Sequence, residues 1–265
     1  QTAKLIQRQL AEKDGPIVPL IAETGGLNIM VADSTALTEQ LVTDVIASAF
    51  GAAGQRCSAL RVLFIQEEVA EKTIKMLIGA MKELIVGEPQ WMSTDIGPVI
   101  DQDALELLQA HERFLSDNAK LLYQLPLAKM LNGTYCAPQV HEIENISLLK
   151  QEVFGPILHV CRFKRRHLER LIDQVNALGY GLTFGVHSRI DTTIDLVSSK
   201  INAGNVYVNR NMVGAVVGLQ PFGGCGLSGT GPKAGGPHYL LRLCNEKTIS
   251  TDTTAAGGNA SLMSL

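Results

Sequence analysis

The chain has little of what several protein classes require. Its five cysteines, Cys57, Cys136, Cys161, Cys225 and Cys244, are odd in number, widely spaced and without a C-x-x-C pair. That argues against a disulfide framework and against a zinc or other metal site, and it fits a reducing, cytoplasmic setting. Basic charge is not in excess: 23 Lys and Arg stand against 26 Asp and Glu, for a formal net charge of −3. The electrostatic footprint of a nucleic-acid binder is therefore missing. No apolar run approaches the length of a membrane span, and Gln1–Arg8 lacks the apolar core of a secretory signal. There is no initiator methionine. The first residues read as a helix cut open, so a fragment of a longer protein is expected. Aromatic residues make up only 5% of the chain and charged residues 18%, while 46% is hydrophobic. Over 265 residues that supplies one large domain or two small ones.

Strands and helices alternate. Residues 16–21 form a short apolar run that ends at Glu23-Thr24-Gly25-Gly26 and reads as a strand entering a tight turn. Asp33-Ser34-Thr35 offers N-caps for a helix with Leu37, Leu41, Val45 and Ala49 on one face. Residues 61–66 read as a buried strand and 67–85 as an amphipathic helix with acids in its first turn. A loop over 87–98 precedes a helix over 101–118. Strands then fall at 157–163, 182–187 and 205–209, with helices at 165–178 and 191–200 between them. Residues 248–265 read as an exported strand or a disordered end, and there is no internal repeat. Strands alternating with helices of this length predict an α/β fold whose largely parallel sheet is covered on both faces.

Two short segments carry the chemistry. Cys57 stands in the Gly/Ala-rich run Gly51-Ala52-Ala53-Gly54-Gln55-Arg56-Cys57-Ser58, 34 residues after Glu23. Small residues let backbone approach a ligand, and the adjacent Arg56 offers a charge that lowers a thiol pKa where it faces the sulfur. A thiolate can attack a carbonyl and a carboxylate can later activate water. Glu23 alone is equally a solvated turn residue. Its place at a predicted strand end points instead to the carboxyl edge of an α/β sheet, where ligands bind. Gln151-Glu152-Val153-Phe154-Gly155-Pro156 joins a carboxylate that can accept from ribose hydroxyls to an aromatic that can pack on a flat ring; alone it is also a plain turn. Gly224, Gly226 and Gly229 spell G-x-G-x-x-G, but Pro221 precedes them and Ile249 stands where an acid is needed. The run is not a phosphate cradle. The six histidines are scattered, and none pairs with Cys57 by spacing.

Taken in order, A-E-T-G-G, G-Q-R-C-S, E-V-F-G-P, N-V-Y-V-N and P-F-G-G-x-G-x-S-G-x-G resemble the aldehyde dehydrogenase superfamily over most of the chain. Within it, R-N-M-V-G-A-V-V-G-L-Q-P-F-G-G, G-P-K-A-G-G-P-H-Y-L and T-T-A-A-G-G-N-A-S-L are similar to the pyrroline-5-carboxylate (glutamate-semialdehyde) dehydrogenase module of bacterial bifunctional proline-utilisation proteins. The resemblance implies residues 1–26 as a remnant of a Rossmann-like NAD-binding domain, 27–228 as the catalytic domain, 229–247 as a return to the NAD-binding domain, and 248–265 as an oligomerisation strand.

The same resemblance implies roles. Cys57 is the nucleophile and its backbone N–H half of an oxyanion hole. Glu23 is the base for deacylating water, with a pKa raised by desolvation. Glu152 holds the nicotinamide ribose of NAD and Phe154 packs near the nicotinamide. Ser58 with the backbone of Gly214 and Ala215 anchors the substrate's α-carboxylate, and Phe222 walls its aliphatic chain. The family's second oxyanion donor, an asparagine, and its adenosine and pyrophosphate site would lie before Gln1, as would any FAD-dependent proline dehydrogenase domain. Losing one oxyanion donor lowers rates by roughly 100- to 1000-fold, so this polypeptide alone is expected to be nearly inactive. Leu27 stands where much of the superfamily has Lys. The alternatives are a dehydrogenase for another aldehyde, a non-catalytic module of the same fold, and a thiol hydrolase with a histidine near in space.

Overall fold

The computed structural model describes residues 2–128, 131–216 and 218–252. Its strands are β1 (Asn28–Ala32), β2 (Leu60–Gln66), β3 (Lys120–Gln124), β4 (Gln139–Glu142), β5 (Ile157–Phe163), β6 (Tyr180–Gly181), β7 (Thr183–His187), β8 (Asn205–Val208) and β9 (Cys225–Gly226). Seven of them form one sheet in the order β3-β4-β5-β2-β1-β7-β8, parallel throughout except for the β3–β4 pair. β6 and β9 form a small antiparallel pair.

Every residue of β1 and β2 is buried. Such strands need cover on both faces, and it comes from the helices α2 (Thr38–Phe50), α3 (Glu67–Lys82), α4 (Gln102–Asn118), α5 (Leu168–Ala177) and α6 (Asp191–Lys200), whereas α1 (Thr2–Glu12) buries none of its residues. α2 and α3 pack together against β2 and β5, whereas α5 and α6 pack together beside β6 and β7. The periodicity explains the docking: α3 buries Ala70, Thr73, Ile74, Leu77 and Met81, and α5 buries Leu168, Leu171, Ile172 and Val175. Each fully buried Leu, Ile or Val contributes about 1.5–3 kcal/mol relative to exposure. Asp101 caps α4 by accepting from the Ala104 N–H at 2.8 Å.

Several expectations need correction. Residues 16–21 are not a strand: Pro16 and Pro19 have no N–H to donate, and Ile17 and Val18 are exposed. The strand at this point is β1, the continuous apolar run that follows Gly26 and Leu27. Asp33 does not cap α2, and Leu37 lies outside its buried face as the half-exposed residue before Thr38. Instead the Asp33 carboxylate accepts from the Thr35 N–H at 2.8 Å and from Ser188 Oγ at 2.5 Å, tying the ends of β1 and β7 together. The expected helix over 67–85 ends at Lys82. The strands β3, at the sheet edge, and β4, between β3 and β5, were not expected; they are only five and four residues long. Residues 248–252 form no regular element, and the rest of the expected oligomerisation strand lies outside the described residues. No described helix is long and apolar enough to cross a membrane.

Candidate active site

The topology itself brings the motifs together. β1, β2 and β5 are adjacent and parallel. Glu23 lies in the segment feeding β1, Cys57 in the loop feeding β2, and Glu152 in the segment feeding β5. The three groups thus converge at the amino edge of the sheet. The carboxyl-edge position expected for Glu23 is wrong, because the strand it was thought to end does not exist.

The Cys57 loop leaves α2 through Gly51–Gly54, where Ala52 and Ala53 both have φ of 54°. A left-handed non-glycine residue costs about 1–2 kcal/mol, so the surroundings must hold the bend. Gln55 contributes: its N–H donates to the Ala52 carbonyl at 3.0 Å and its Oε1 accepts from the Ile100 N–H at 2.8 Å. Asn28, fully buried at the start of β1, donates through Nδ2 to the carbonyls of Cys57 at 2.6 Å and Ala59 at 2.9 Å. Thr183 Oγ1 donates to the Ser58 carbonyl at 3.3 Å. Sequence reasoning missed Asn28; its only signal was a polar residue opening an apolar strand.

Cys57 is exposed, and the backbone N–H groups of Cys57 and Ser58 face its sulfur. They favour the thiolate, as oxyanion donors would. Partial burial, together with the charges of Glu152 and Glu23, nevertheless holds the thiol above its ordinary pKa. Arg56 is not among the largest influences on it. Glu23 is exposed, so the desolvation expected for it is absent. The late glycine-rich loop holds its segment: Thr24 Oγ1 donates to the Leu227 carbonyl at 2.6 Å, the Thr24 N–H to Ser228 at 3.1 Å, and Glu23 bridges to Gly229. That loop opens no helix, as the rejection of its G-x-G-x-x-G pattern required.

Glu152 is mostly buried and anchored on two sides. Its Oε2 accepts from the Gly26 N–H at 3.0 Å and its Oε1 from Arg61 Nη2 at 3.1 Å. A Cβ on Gly25 would come within 2.0 Å of Oε2, which is why glycine stands there. Burial raises the Glu152 pKa despite the opposing pull of Arg61. Arg61 itself is 1% exposed. Its Nη1 donates to the Gly54 carbonyl at 2.7 Å and the Gly155 carbonyl at 3.2 Å, and its Nη2 to the Arg56 carbonyl at 3.2 Å. Its Cζ lies 5.2 Å from the centre of the Phe154 ring. One buried guanidinium therefore joins the cysteine loop to the E-V-F-G-P segment, and sequence reasoning had taken it only as the first residue of a strand.

Phe154 is half-exposed, and with Glu152 it lines a cavity of about 420 Å³ beside Leu107, Leu108, His111 and Phe114 of α4. An ionised carboxylate offers about four acceptor positions, and two of those on Glu152 are taken. A ribose hydroxyl pair and a flat ring fit what remains. A larger hollow of about 1010 Å³ beside Glu142–Lys150 contains none of the expected site residues.

Ser58 is buried next to the nucleophile. Gly214, at φ 76°, and Ala215 lie on the segment after β8, and Phe222 is paired with Ala234 through two backbone hydrogen bonds. The largest charge effects on Cys57 come from Glu152 and Glu23 and not from a histidine. His111, His141 and His159 instead gather between α4, β4 and β5, with His111 Nε2 and His159 Nε2 2.9 Å apart. Burial lowers their pKa values to about 4, about 4 and about 3. No cluster able to hold a metal ion is present among the described residues.

Comparison with known proteins identifies the family. Residues 1–249 match the aldehyde dehydrogenase family. The bifunctional protein PutA of Klebsiella aerogenes is 54% identical over 256 residues, which cover 93% of the chain and 20% of that protein. The 1-pyrroline-5-carboxylate dehydrogenase of Geobacillus kaustophilus is 35% identical over 233 residues, 87% of the chain and 45% of that protein. A crystal structure of bifunctional proline utilization A superposes with a TM-score of 0.92 at 55% identity, over 97% of the chain and 26% of the other. A Thermus 1-pyrroline-5-carboxylate dehydrogenase with bound NAD superposes with a TM-score of 0.80 at 30% identity, over 90% and 47%. The chain thus spans a fifth to under half of the length of these curated relatives.

Proposed function

Because the chain belongs to the aldehyde dehydrogenase family, we propose that it carries the thiol chemistry of an NAD-dependent oxidation of glutamate 5-semialdehyde, the open form of pyrroline-5-carboxylate, to glutamate. The observation that carries this reading is the convergence of Cys57, Glu23 and Glu152 on loops feeding three adjacent strands. Cys57 Sγ adds to the aldehyde carbon, and its thiol proton leaves to solvent or to a nearby base. The Cys57 backbone N–H stabilises the developing oxyanion. NAD, when bound, accepts the hydride from that carbon. Glu152 and Phe154 would hold its ribose and nicotinamide. Glu23 then takes a proton from water, the hydroxide attacks the thioester on Cys57, and the carbon–sulfur bond breaks to release glutamate and the Cys57 thiolate. Ser58, Gly214 and Ala215 would anchor the α-carboxylate and Phe222 the aliphatic chain. Residues 229–247 would belong with 1–26 to the cofactor-binding part; the bonds joining Ala22–Thr24 to Leu227–Thr230 support that grouping. FAD would serve only a separate proline dehydrogenase domain, and pairing of the 248–265 tail between copies remains part of the proposal.

The test is NADH formation with pyrroline-5-carboxylate against pentanal. The expected result is preference for pyrroline-5-carboxylate, loss of activity in C57A, and in E23Q a burst of about one NADH per Cys57 followed by arrest. Preference for pentanal, or retained turnover in C57A, overturns the proposal. The 265-residue polypeptide by itself is expected to work at least about 100-fold below a complete relative, since one oxyanion donor supplies that much.

A further inference from the structure

β8 ends at the carboxyl edge of the sheet, whereas Cys57 lies at the amino edge. The segment after β8 must therefore travel the depth of the sheet to bring Gly214 and Ala215 towards the nucleophile. Its first turn is built by Asn209, at φ 50°, whose Oδ1 accepts from the Ser188 N–H at 3.0 Å and whose Nδ2 donates to the Ser188 carbonyl at 2.9 Å. From there the segment is held to one stripe of α2 with helical spacing. Gln40 Nε2 donates to the Asn209 carbonyl at 2.6 Å. The Asn211 N–H faces the Asp44 carboxylate. Ser48 Oγ, fully buried, accepts from the Met212 N–H at 2.9 Å. His187, 3.6 Å from Asp44 through Nε2, takes the Arg210 carbonyl as a further partner.

The lengths agree. Eight helical residues from Gln40 to Ser48 rise about 12 Å, and three extended residues from Asn209 to Met212 span about 10 Å. α2 then runs directly into the bend that carries Cys57.

We propose that Gln40, Asp44 and Ser48 are positioning residues for substrate selection: they form a rail that sets the register of the Gly214–Ala215 loop against the nucleophile carried at the end of the same helix. The inference rests on the proposed role of Gly214 and Ala215 as the α-carboxylate anchor. It predicts that damage to the rail weakens recognition of the carboxylate end of a ligand and leaves the cysteine unaffected.

The experiment uses the chain as it exists and reads protection of Cys57 from iodoacetamide. The probes are L-glutamate, which carries the α-carboxylate, and butanoate, which does not. S48A and D44A are expected to raise the half-protecting L-glutamate concentration about tenfold, the worth of one lost buried hydrogen bond. Q40A, at an exposed position that cannot endanger folding, raises it about threefold. D44N keeps an acceptor for Asn211 and stays near wild type. Butanoate protection and the unprotected alkylation rate stay within twofold in all four, and amide exchange quickens at 210–216 only. Equal losses for both probes, or unchanged L-glutamate protection in S48A, D44A and Q40A, overturns the rail. Absence of L-glutamate protection in the unsubstituted chain overturns the carboxylate anchor, and the rail with it.

Discussion

Replacing Arg61 with Met tests whether the site is held by one buried charge. The guanidinium is 1% exposed and serves four acceptors: the carbonyls of Gly54, Arg56 and Gly155, and the Glu152 carboxylate. Burial disfavours the charged forms of both partners, raising the Glu152 pKa and lowering that of Arg61. The pair is thus not a large net stabiliser, yet breaking it strands the carboxylate. Removing one partner of a buried pair costs about 3–5 kcal/mol. For a chain of this size each kcal/mol moves Tm by roughly 2–4 °C, so R61M should melt roughly 6–20 °C lower. The deficit should narrow as pH falls. A carboxylate with a raised pKa imposes its penalty above that pKa and loses it on protonation. Adding E152Q to R61M should recover more than about 1 kcal/mol through the coupling of the two sites. The assay is thermal unfolding followed by circular dichroism for the two single variants and the double. A Tm within about 3 °C of wild type for R61M, or strictly additive effects, refutes the reasoning.

Three further outcomes follow from the same structure. The buried histidines have folded pKa values of about 4, about 4 and about 3 for His111, His141 and His159. The unfolded chain therefore binds more protons below about pH 6.5, and stability present above that value is lost as pH falls; His159 alone contributes about 1.4 kcal/mol per pH unit. A flat Tm between pH 7 and pH 5 contradicts this. Burial and two carboxylates raise the Cys57 thiol, and burial lifts Cys136 and Cys161 to about 12. Iodoacetamide at pH 7, read by mass spectrometry, should modify Cys57 no faster than exposed Cys225 and spare the two buried thiols; alkylation of Cys57 more than tenfold faster than Cys225 counts against it. Finally, a Cβ at Gly54, φ 66°, would meet the Gly155 carbonyl oxygen at 2.2 Å. G54A should lose at least about 2 kcal/mol, and denaturant unfolding that shows less refutes the close approach.

What the sequence made legible follows from how local each signal is. The 3.6-residue period of α3 to α6 and the apolar runs of β2, β5 and β7 are written in neighbouring residues, and the expected elements lie within a few residues of the observed ones. β1 was missed because Asn28–Ala32 has no polar alternation and sits between two turn-like segments. β3 and β4 were missed because they are only five and four residues long and neither alternates cleanly between apolar and polar side chains. Cys57, Glu23 and Glu152 were singled out because glycine punctuates the backbone around each. Asn28 and Arg61 were not, because a polar side chain inside a strand gives no sign of whether it faces solvent or satisfies distant carbonyls.

That difference explains why the motifs are short while the site is rigid. Glu23, Cys57 and Glu152 sit on three separate connections, and no two of these are bonded through regular structure. The sheet places the connections side by side, since β1, β2 and β5 are parallel neighbours. The remaining freedom is removed by two fully buried side chains rooted in the strands themselves. Asn28 of β1 grips the Cys57 and Ala59 carbonyls of the loop before β2. Arg61 of β2 grips Glu152 and Gly155 of the segment before β5. Arg61 also holds the Gly54 and Arg56 carbonyls of the loop before its own strand, so positional precision passes across the sheet from β1 to β2 to β5 with Arg61 as the joint between two loops. N28A should therefore quicken amide exchange over residues 54–59, and R61M should quicken it over both 54–59 and 152–156. Unchanged exchange over 54–59 in N28A, or over 152–156 in R61M, refutes that order.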